Sequence, residues 1–363
     1  MHILMVSLDF LPTVGGITAH VYELSLALMK NGCKVSVITR TTKETSKPYE
    51  NIDGIDVYRV NLRFFGATYG WQINRFIQAK LPQIKPDIIH IHGMRPLEFY
   101  TIPSIPLVYT NHTSGYLKRI QKGGYRIALL QRLFKKPALF LAPSKELLEV
   151  PFEFKAKKVY IPNGVISEKL KRNEEARVKI RAELGLKSND ILAIVTRRLV
   201  QKNGVKYLSL ATQYIQNPHL KLLIIGDGEE FDEIKTNLER YFKDRFFMLG
   251  AKKHHEIIDY YSASDLSILP SLMEATSISG LEAMGASLPL IGTKVGGIPE
   301  LIKEGINGYL CEAKNPHDLA DKIDTLLAQD FKTMGKNSLE IVTKDFDWDI
   351  IAKATLREYR GLL

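Results

Sequence analysis

The sequence predicts an α/β protein of two Rossmann-like, doubly wound domains that face each other across a cleft. Three observations carry this prediction. Short apolar runs alternate with segments of helical periodicity along the chain, the pattern of a parallel sheet wrapped by helices. The alternation is laid out twice, on either side of the turn-like Pro162-Asn163-Gly164. At 363 residues the chain is long enough for each half to bury its own core. The expected boundaries place one domain at 1–165, a second at 166–345 and a helical tail at 346–363.

Taken in order, Ile3–Leu8 is the first apolar run, and Ile17, Val21, Leu24 and Leu28 recur at helical spacing until Gly32. Lys34–Thr39, Ile55–Val60, Asp87–Ile91, Leu107–Thr110, Ala138–Ala142 and Val159–Ile161 complete the first set of strands. The second set is Ile191–Thr196, Leu220–Ile225, Phe246–Leu249, Leu266–Leu269 and Leu288–Ile291. Ligands of such sheets bind beyond the carboxyl ends of the strands, so the loops that follow the strands are where chemistry is sought.

Composition narrows the class. Apolar residues make up 45% and charged residues 25%, ordinary for a soluble globular protein. Cys33 and Cys311 are the only cysteines, which excludes a disulfide framework and makes a reducing compartment the default. The first residues lack a basic leader and meet Asp9 early, and no apolar run approaches the roughly 20 residues that span a bilayer. A cytoplasmic location is expected. Net charge is +10, unevenly spread: residues 1–165 hold 22 Lys and Arg against 11 Asp and Glu, the remainder 28 against 29. An anionic partner is therefore expected for the first half.

The densest chemistry lies in Pro270–Met284, between a buried strand and an apolar-periodic helix. Ser279 and Glu282 fit the S-x-x-E capping box, so the helix is expected to begin at Ser279. Its free N–H groups, with the loop Thr276, Ser277 and Ile278, would then favour an anion. Glu274 and Glu282 flank that place as acceptors for hydroxyl groups. A helix N-terminus for phosphate with acceptors beside it suits a nucleotide sugar. The spacing alone favours a capping glutamate and a solvated loop carboxylate over a binding site.

Other loops add candidates. Gly15-Gly16 lets backbone approach a ligand ahead of a helix, and it is not G-x-G-x-x-G, which speaks against a nicotinamide or flavin. Arg198 and Lys202 follow a strand and are placed to clamp a diphosphate, or to be surface bases. Gly226-Asp227-Gly228 reads as a strand-to-helix turn. His90-Ile91-His92 ends one strand and His112 another. A His-x-His metal site is conceivable there, but no further ligand set supports one, and no metal is expected.

Glu274-x7-Glu282, followed by Ala283-Met284 and by Gly296-Gly297-Ile298-Pro299-Glu300, resembles the donor site of the family-4 retaining glycosyltransferases, the glycosyl transferases group 1, with the GT-B fold. The resemblance extends over nearly the whole chain, through Gly15-Gly16, Asp87–His92, Tyr109–His112, Arg198–Gly204, Gly226–Gly228 and Phe346-Asp347-Trp348. It implies a metal-independent enzyme with no cofactor, whose donor substrate is a nucleotide-diphosphate sugar and whose acceptor is lipid-linked, a saccharide or another hydroxyl. In that likeness Arg198, Lys202 and the backbone near Gly16 and Thr276–Ile278 hold the diphosphate. Gly226 shapes the nucleotide pocket, Glu282 holds the ribose, and Glu274 and His112 orient the sugar. The likeness also implies that the tail helix packs back on the first domain, and it leaves the aspartates of Asp345–Asp349 structural. Departures are Arg197 for the usual glycine, Asn203 where a lysine often precedes Gly204, Ala275-Thr276 for a Gly-aromatic pair, and Ser287 for a glycine. A sugar-nucleotide epimerase and a non-catalytic binding protein of the same scaffold are the alternatives.

Lys118–Lys136 holds seven basic residues and no acid, interleaved with Ile120, Tyr125, Ile127, Leu129, Leu130, Leu133 and Phe134. A basic stretch with an apolar face suits an anionic membrane surface, so peripheral membrane contact is expected. No base-reading motif accompanies the charge, and nucleic acid is not expected as a partner.

Overall fold

The computed structural model describes every residue except 14, 43–44, 46, 63–67, 99, 103, 113–119 and 121. The chain divides into two units: Met1–Asn163 together with Trp348–Leu363, and Gly164–Asp347.

The first unit runs β1 (His2–Ser7), α1 (Gly16–Lys30), β2 (Lys34–Arg40), β3 (Tyr49–Ile52), β4 (Ile55–Val60), α2 (Tyr69–Ile84), β5 (Ile88–His92), α3 (Met94–Glu98), β6 (Leu107–Thr110), α4 (Tyr125–Phe134), β7 (Leu139–Ala142) and β8 (Lys157–Tyr160). Its sheet has the order β3-β4-β2-β1-β5-β6-β7-β8. All neighbours are parallel except β3, which pairs antiparallel with β4. That edge strand is absent from the sequence reading, yet its signal was present. Ile52 pairs with Ile55 across Asp53-Gly54, both at positive φ, the two-residue turn that Asp-Gly favours.

The second unit runs α5 (Glu174–Glu183), β9 (Ile191–Thr196), α6 (Val205–Ala211), β10 (Leu220–Ile225), α7 (Phe231–Tyr241), β11 (Phe246–Met248), α8 (His254–Ala263), β12 (Leu266–Leu269), α9 (Ile278–Gly285), β13 (Leu290–Thr293), β14 (Gly308–Cys311), α10 (Pro316–Leu327) and α11 (Phe331–Asp345). Its all-parallel sheet has the order β11-β10-β9-β12-β13-β14. Along β9, Leu192 and Ile194 enter one core while Ala193 and Val195 enter the other, so helices cover both faces. That burial is why the strand reads as an unbroken apolar run. The penultimate strand starts two residues later than the apolar pattern suggests. Leu288 donates its N–H to Ala283 at the end of α9, and Pro289 has none to give. The strand order reverses between β9 and β12, and the loops after these strands meet at that switch point.

The tail helix α12 (Trp348–Arg360) belongs to the first unit. Ile351, Leu356 and Tyr359 are buried, and the Tyr359 hydroxyl lies 2.6 Å from Nδ1 of His90 on β5. Among the described residues no helix is long and apolar enough to cross a membrane.

Candidate functional site

In the second unit, Thr196, Arg197, Arg198, Gly226, Ser279 and Glu282 line a pocket of about 600 Å³ beyond the carboxyl ends of β9 and β10. Glycine is required at its floor. Gly226 has φ +152° and a Cβ there would overlap the carbonyl oxygen of Arg197, while one on Gly228 would overlap that of Leu199. Arg198 is exposed and lines this pocket. Lys202 is exposed, while its carbonyl accepts from Leu272 and Met273 N–H at 2.8 and 3.2 Å and so holds the loop after β12. It is Asn203 that turns inward, donating to the Arg198 carbonyl at 2.7 Å.

Helix α9 starts earlier than the S-x-x-E spacing suggests. Ser277 is its N-cap, and its hydroxyl accepts from the Gly280 N–H at 3.1 Å. Ser277 and Thr276 are buried and Ile278 is exposed. With the cap two residues upstream, Glu282 lies two residues beyond the capping-box position, and its carboxylate is used elsewhere. Oε1 lies 2.6 Å from His254 Nε2, and Oε2 accepts from the Tyr261 hydroxyl at 3.3 Å. The bond to Glu282 raises the His254 imidazole above its ordinary value, and burial beside Glu282 pushes the Tyr261 phenol up.

Glu274 is anchored twice. Its side chain pairs with Arg197, Nη1 to Oε2 at 2.5 Å, while Arg197 Nη2 donates to the Ser277 hydroxyl at 2.6 Å. Its carbonyl sits under Gly296, whose φ is +57°, and accepts a long 3.4 Å contact from the Gly297 N–H. The Gly296–Glu300 turn, noted in the sequence only as part of a resemblance, is thus the support on which Glu274 rests. Arg197 and His254 are the residues that sequence reasoning missed. Arg197 was visible as a second cation at the end of β9; His254 had no signal.

In the first unit, Gly15 caps α1 and Gly16 opens it, and a Cβ on either would meet no atom within 4 Å. The packing of the chain therefore does not require these two glycines. His112 follows β6 and lies among histidines. His92 Nδ1 and His112 Nε2 are 2.9 Å apart, the His20 and His112 rings have centroids 4.4 Å apart, and His20 Nδ1 is 2.6 Å from Asn163 Oδ1. Burial brings His20 down to about 4 and holds His90, His92 and His112 well below the ordinary imidazole range. Both nitrogens of His90 are partnered, by Tyr359 and Thr110. Among the described residues, His20, His92 and His112 form a group with nitrogens within 4.8 Å of one another, the one set with the spacing of metal ligands. The tail aspartates have protein partners: Asp345 pairs with Lys303, Asp347 accepts from Ser167, and Asp349 accepts from Asn31 and Lys353.

The basic stretch divides in two. Leu130, Leu133 and Phe134 of α4 face the core, whereas Tyr125 and Leu129 are exposed. Lys136 donates to the carbonyls of Leu97 and Glu98, and burial lowers its ammonium. Lys118 and Arg119 lie outside the described residues.

Two family models match the chain: Glycosyltransferase Family 4 over residues 14–169 and Glycosyl transferases group 1 over residues 176–339. An uncharacterized glycosyltransferase of Methanocaldococcus jannaschii is 28% identical, covering 99% of this chain and 98% of that protein. The gpi3 subunit of phosphatidylinositol N-acetylglucosaminyltransferase from Schizosaccharomyces pombe is 26% identical over 99% of this chain and 80% of its own length. Among solved structures, sucrose-phosphate synthase of Thermosynechococcus elongatus superposes with a TM-score of 0.79 at 22% identity, covering 99% and 98% of the two chains. Anabaena HepE, solved in complex with UDP, superposes at 0.77 and 21% identity over the full length of both.

Proposed function

The chain belongs to the glycosyl transferases group 1, and from that premise we propose that it moves a sugar from a nucleotide-diphosphate sugar, with retention at the anomeric carbon, to a hydroxyl of a lipid-linked or saccharide acceptor. The pocket beyond β9 and β10 carries this reading, since Arg198 and Glu282 line it together. Arg198 offers a guanidinium to the diphosphate, with the amide-rich start of α9 following Ser277. Glu282 offers carboxylate lone pairs to ribose hydroxyls, and Glu274 offers Oε1 to the sugar. Gly226, packed on the Arg197 carbonyl, shapes the nucleotide pocket. Gly15 and Gly16 leave open space ahead of α1 that suits a phosphate or an acceptor. Lys202 adds a mobile charge near the diphosphate. The role of His112 stays that of the family resemblance, orientation of the sugar.

Charge building on the leaving diphosphate is stabilised by Arg198 and backbone N–H groups, and the phosphate itself takes the proton of the attacking hydroxyl. No carboxylate nucleophile is then needed. Catalysis is proposed to be metal-independent. The likeness to HepE supports a nucleotide donor, and the gpi3 relative supports a lipid-linked acceptor. Exposed Tyr125 and Leu129 beside Arg126 and Arg132 support contact of α4 with an anionic membrane.

A panel of nucleotide sugars, assayed for nucleotide release with and without a strong chelator, tests the reading. Release from one donor, unaffected by the chelator, is expected. An anomeric proton spectrum of the product then reports retention. Conversion of the donor into another nucleotide sugar would favour the epimerase, and binding without release would favour a non-catalytic protein. Loss of activity to the chelator, restored by one divalent ion, would assign the histidine group to a metal.

A further inference from the structure

We propose that Arg197 is a positioning residue for the donor sugar: it holds Glu274 and the cap of α9 as one unit. The inference rests on the transferase reading above. Arg197 is the first residue after β9, and its guanidinium reaches two residues that follow β12. One nitrogen binds the Glu274 carboxylate and the other the Ser277 hydroxyl, which itself caps α9. Side-chain exposure is 12% for Arg197 and 15% for Glu274, so the pair is shielded and charge-assisted. Nε of Arg197 is buried without a hydrogen-bond partner among the described residues. The fork is thus aimed by its two partners at the expense of its third donor.

The consequence for Glu274 is specific. Oε2 is taken by Arg197 and Oε1 has no partner among the described residues, so a single oxygen in a fixed direction is left for a hydroxyl group. Ser277, one end of the same fork, sets the first turn of α9, where the diphosphate is proposed to sit. Arg197 therefore couples the distance between the sugar's hydroxyls and its phosphate. Glycine, which the resemblance places here, makes no such bridge. A lysine has one donor group and cannot reach both partners with the geometry of a planar fork.

The experiment compares Arg197→Ala, Arg197→Lys, Glu274→Gln and the Arg197→Ala/Glu274→Gln double variant with wild type. UDP binding is measured by calorimetry, and turnover is measured with the nucleotide sugar that wild type uses fastest. Arg197→Ala is expected to lower kcat about tenfold to hundredfold, the size of one charge-assisted contact, with UDP affinity changed far less. Arg197→Lys is expected to recover part of the loss, and the double variant to be no slower than Glu274→Gln alone. Wild-type kcat in Arg197→Ala, or losses that multiply in the double variant, would overturn the inference while leaving the transferase intact. An Arg197→Ala protein that has lost UDP binding as completely as turnover would overturn it too, because the residue would then act on the nucleotide. A wild type that neither binds UDP nor releases nucleotide from any donor would instead remove the transferase reading, and this inference with it.

Discussion

The α-carbon of Gly296 lies against the carbonyl oxygen of Glu274, so closely that a Cβ would occupy the same space as that oxygen. The backbone at Gly296 also has φ +57°, where an L side chain is strained. Two turns distant in sequence thus interlock through main chain alone, and the orientation of Glu274 depends on a residue that carries no chemistry.

Gly296→Ala should therefore displace the Glu274 loop. Strain at such a position costs of order 1–3 kcal/mol, before the overlap is relieved. Nucleotide release is expected to fall to background while circular dichroism keeps the α/β signature and the melting temperature drops by several degrees. Wild-type turnover in Gly296→Ala would show that Glu274 needs no such support.

Arg198 and Lys202 should separate. Arg198 lines the pocket and Lys202 projects outward from the turn before Asn203. Removing a charge-assisted contact to phosphate costs about 1.5–3 kcal/mol. Arg198→Ala should weaken UDP binding accordingly, and Lys202→Ala should weaken it several-fold less. Calorimetry with UDP checks both, and equal losses would place Lys202 in the clamp.

His254 should make a pH-dependent contribution. Its folded value is raised by Glu282, so the contribution is fully present below the unfolded imidazole value near 6.5 and is lost as pH rises through the raised folded value. The stability difference between wild type and His254→Gln should shrink from about pH 6 toward pH 9. Chemical denaturation at several pH values reads it. A difference that grows with pH would mean that the contact is not an ion pair.

The buried histidines act in the opposite direction. For His20 the folded value, about 4, lies below the unfolded one, so the unfolded chain binds its proton first as pH falls. The stability it retains above pH ~6.5 should drain by up to about 1.4 kcal/mol per pH unit. His90, His92 and His112, also lowered, add to the loss in the same direction. Acid unfolding of the first unit is expected to begin well above the carboxylate range, and His20→Gln should flatten the slope. Proton resonances of His20, His90, His92 or His112 titrating near 6.5 in the folded protein would contradict this.

Membrane contact is tested with vesicles. Lys122, Arg126, Arg132 and Lys135 changed together to Gln should abolish binding to anionic vesicles, at about 1 kcal/mol per charge, and leave UDP affinity unchanged. Salt should weaken the native interaction. A native protein that stays in the supernatant with anionic and neutral vesicles alike would remove the membrane from the reading.

The sheets were legible in the sequence because buried parallel strands such as Leu192–Val195 are apolar on both faces, a local signal. Of the edge strands, Val159–Ile161 and Phe246–Leu249 could be read from their apolar residues, whereas Tyr49–Ile52, exposed on alternate residues, and Gly308–Cys311 were missed. At the site, Arg198, Gly226, Glu274 and Glu282 could be named only through their resemblance to a family's motifs. Their partners could not, because Arg197–Glu274 and His254–Glu282 join residues 77 and 28 positions apart through contacts that only the folded chain creates. The cap of α9 was misplaced for a related reason. Ser277 and Ser279 are both acceptable caps locally, and Arg197 binds the first.

Because Trp348–Leu363 completes a unit that began at Met1, the whole of Gly164–Asp347 is synthesised between two parts of its neighbour. On the ribosome the second unit has all its residues first, while the first waits with an open seam. Until the tail emerges, His90 lacks the Tyr359 hydroxyl and His20 lacks the ring of Trp348, whose centroid lies 5.4 Å away in the finished molecule. A stalled or clipped chain short of residue 348 would thus expose the underside of the very sheet that holds the histidines.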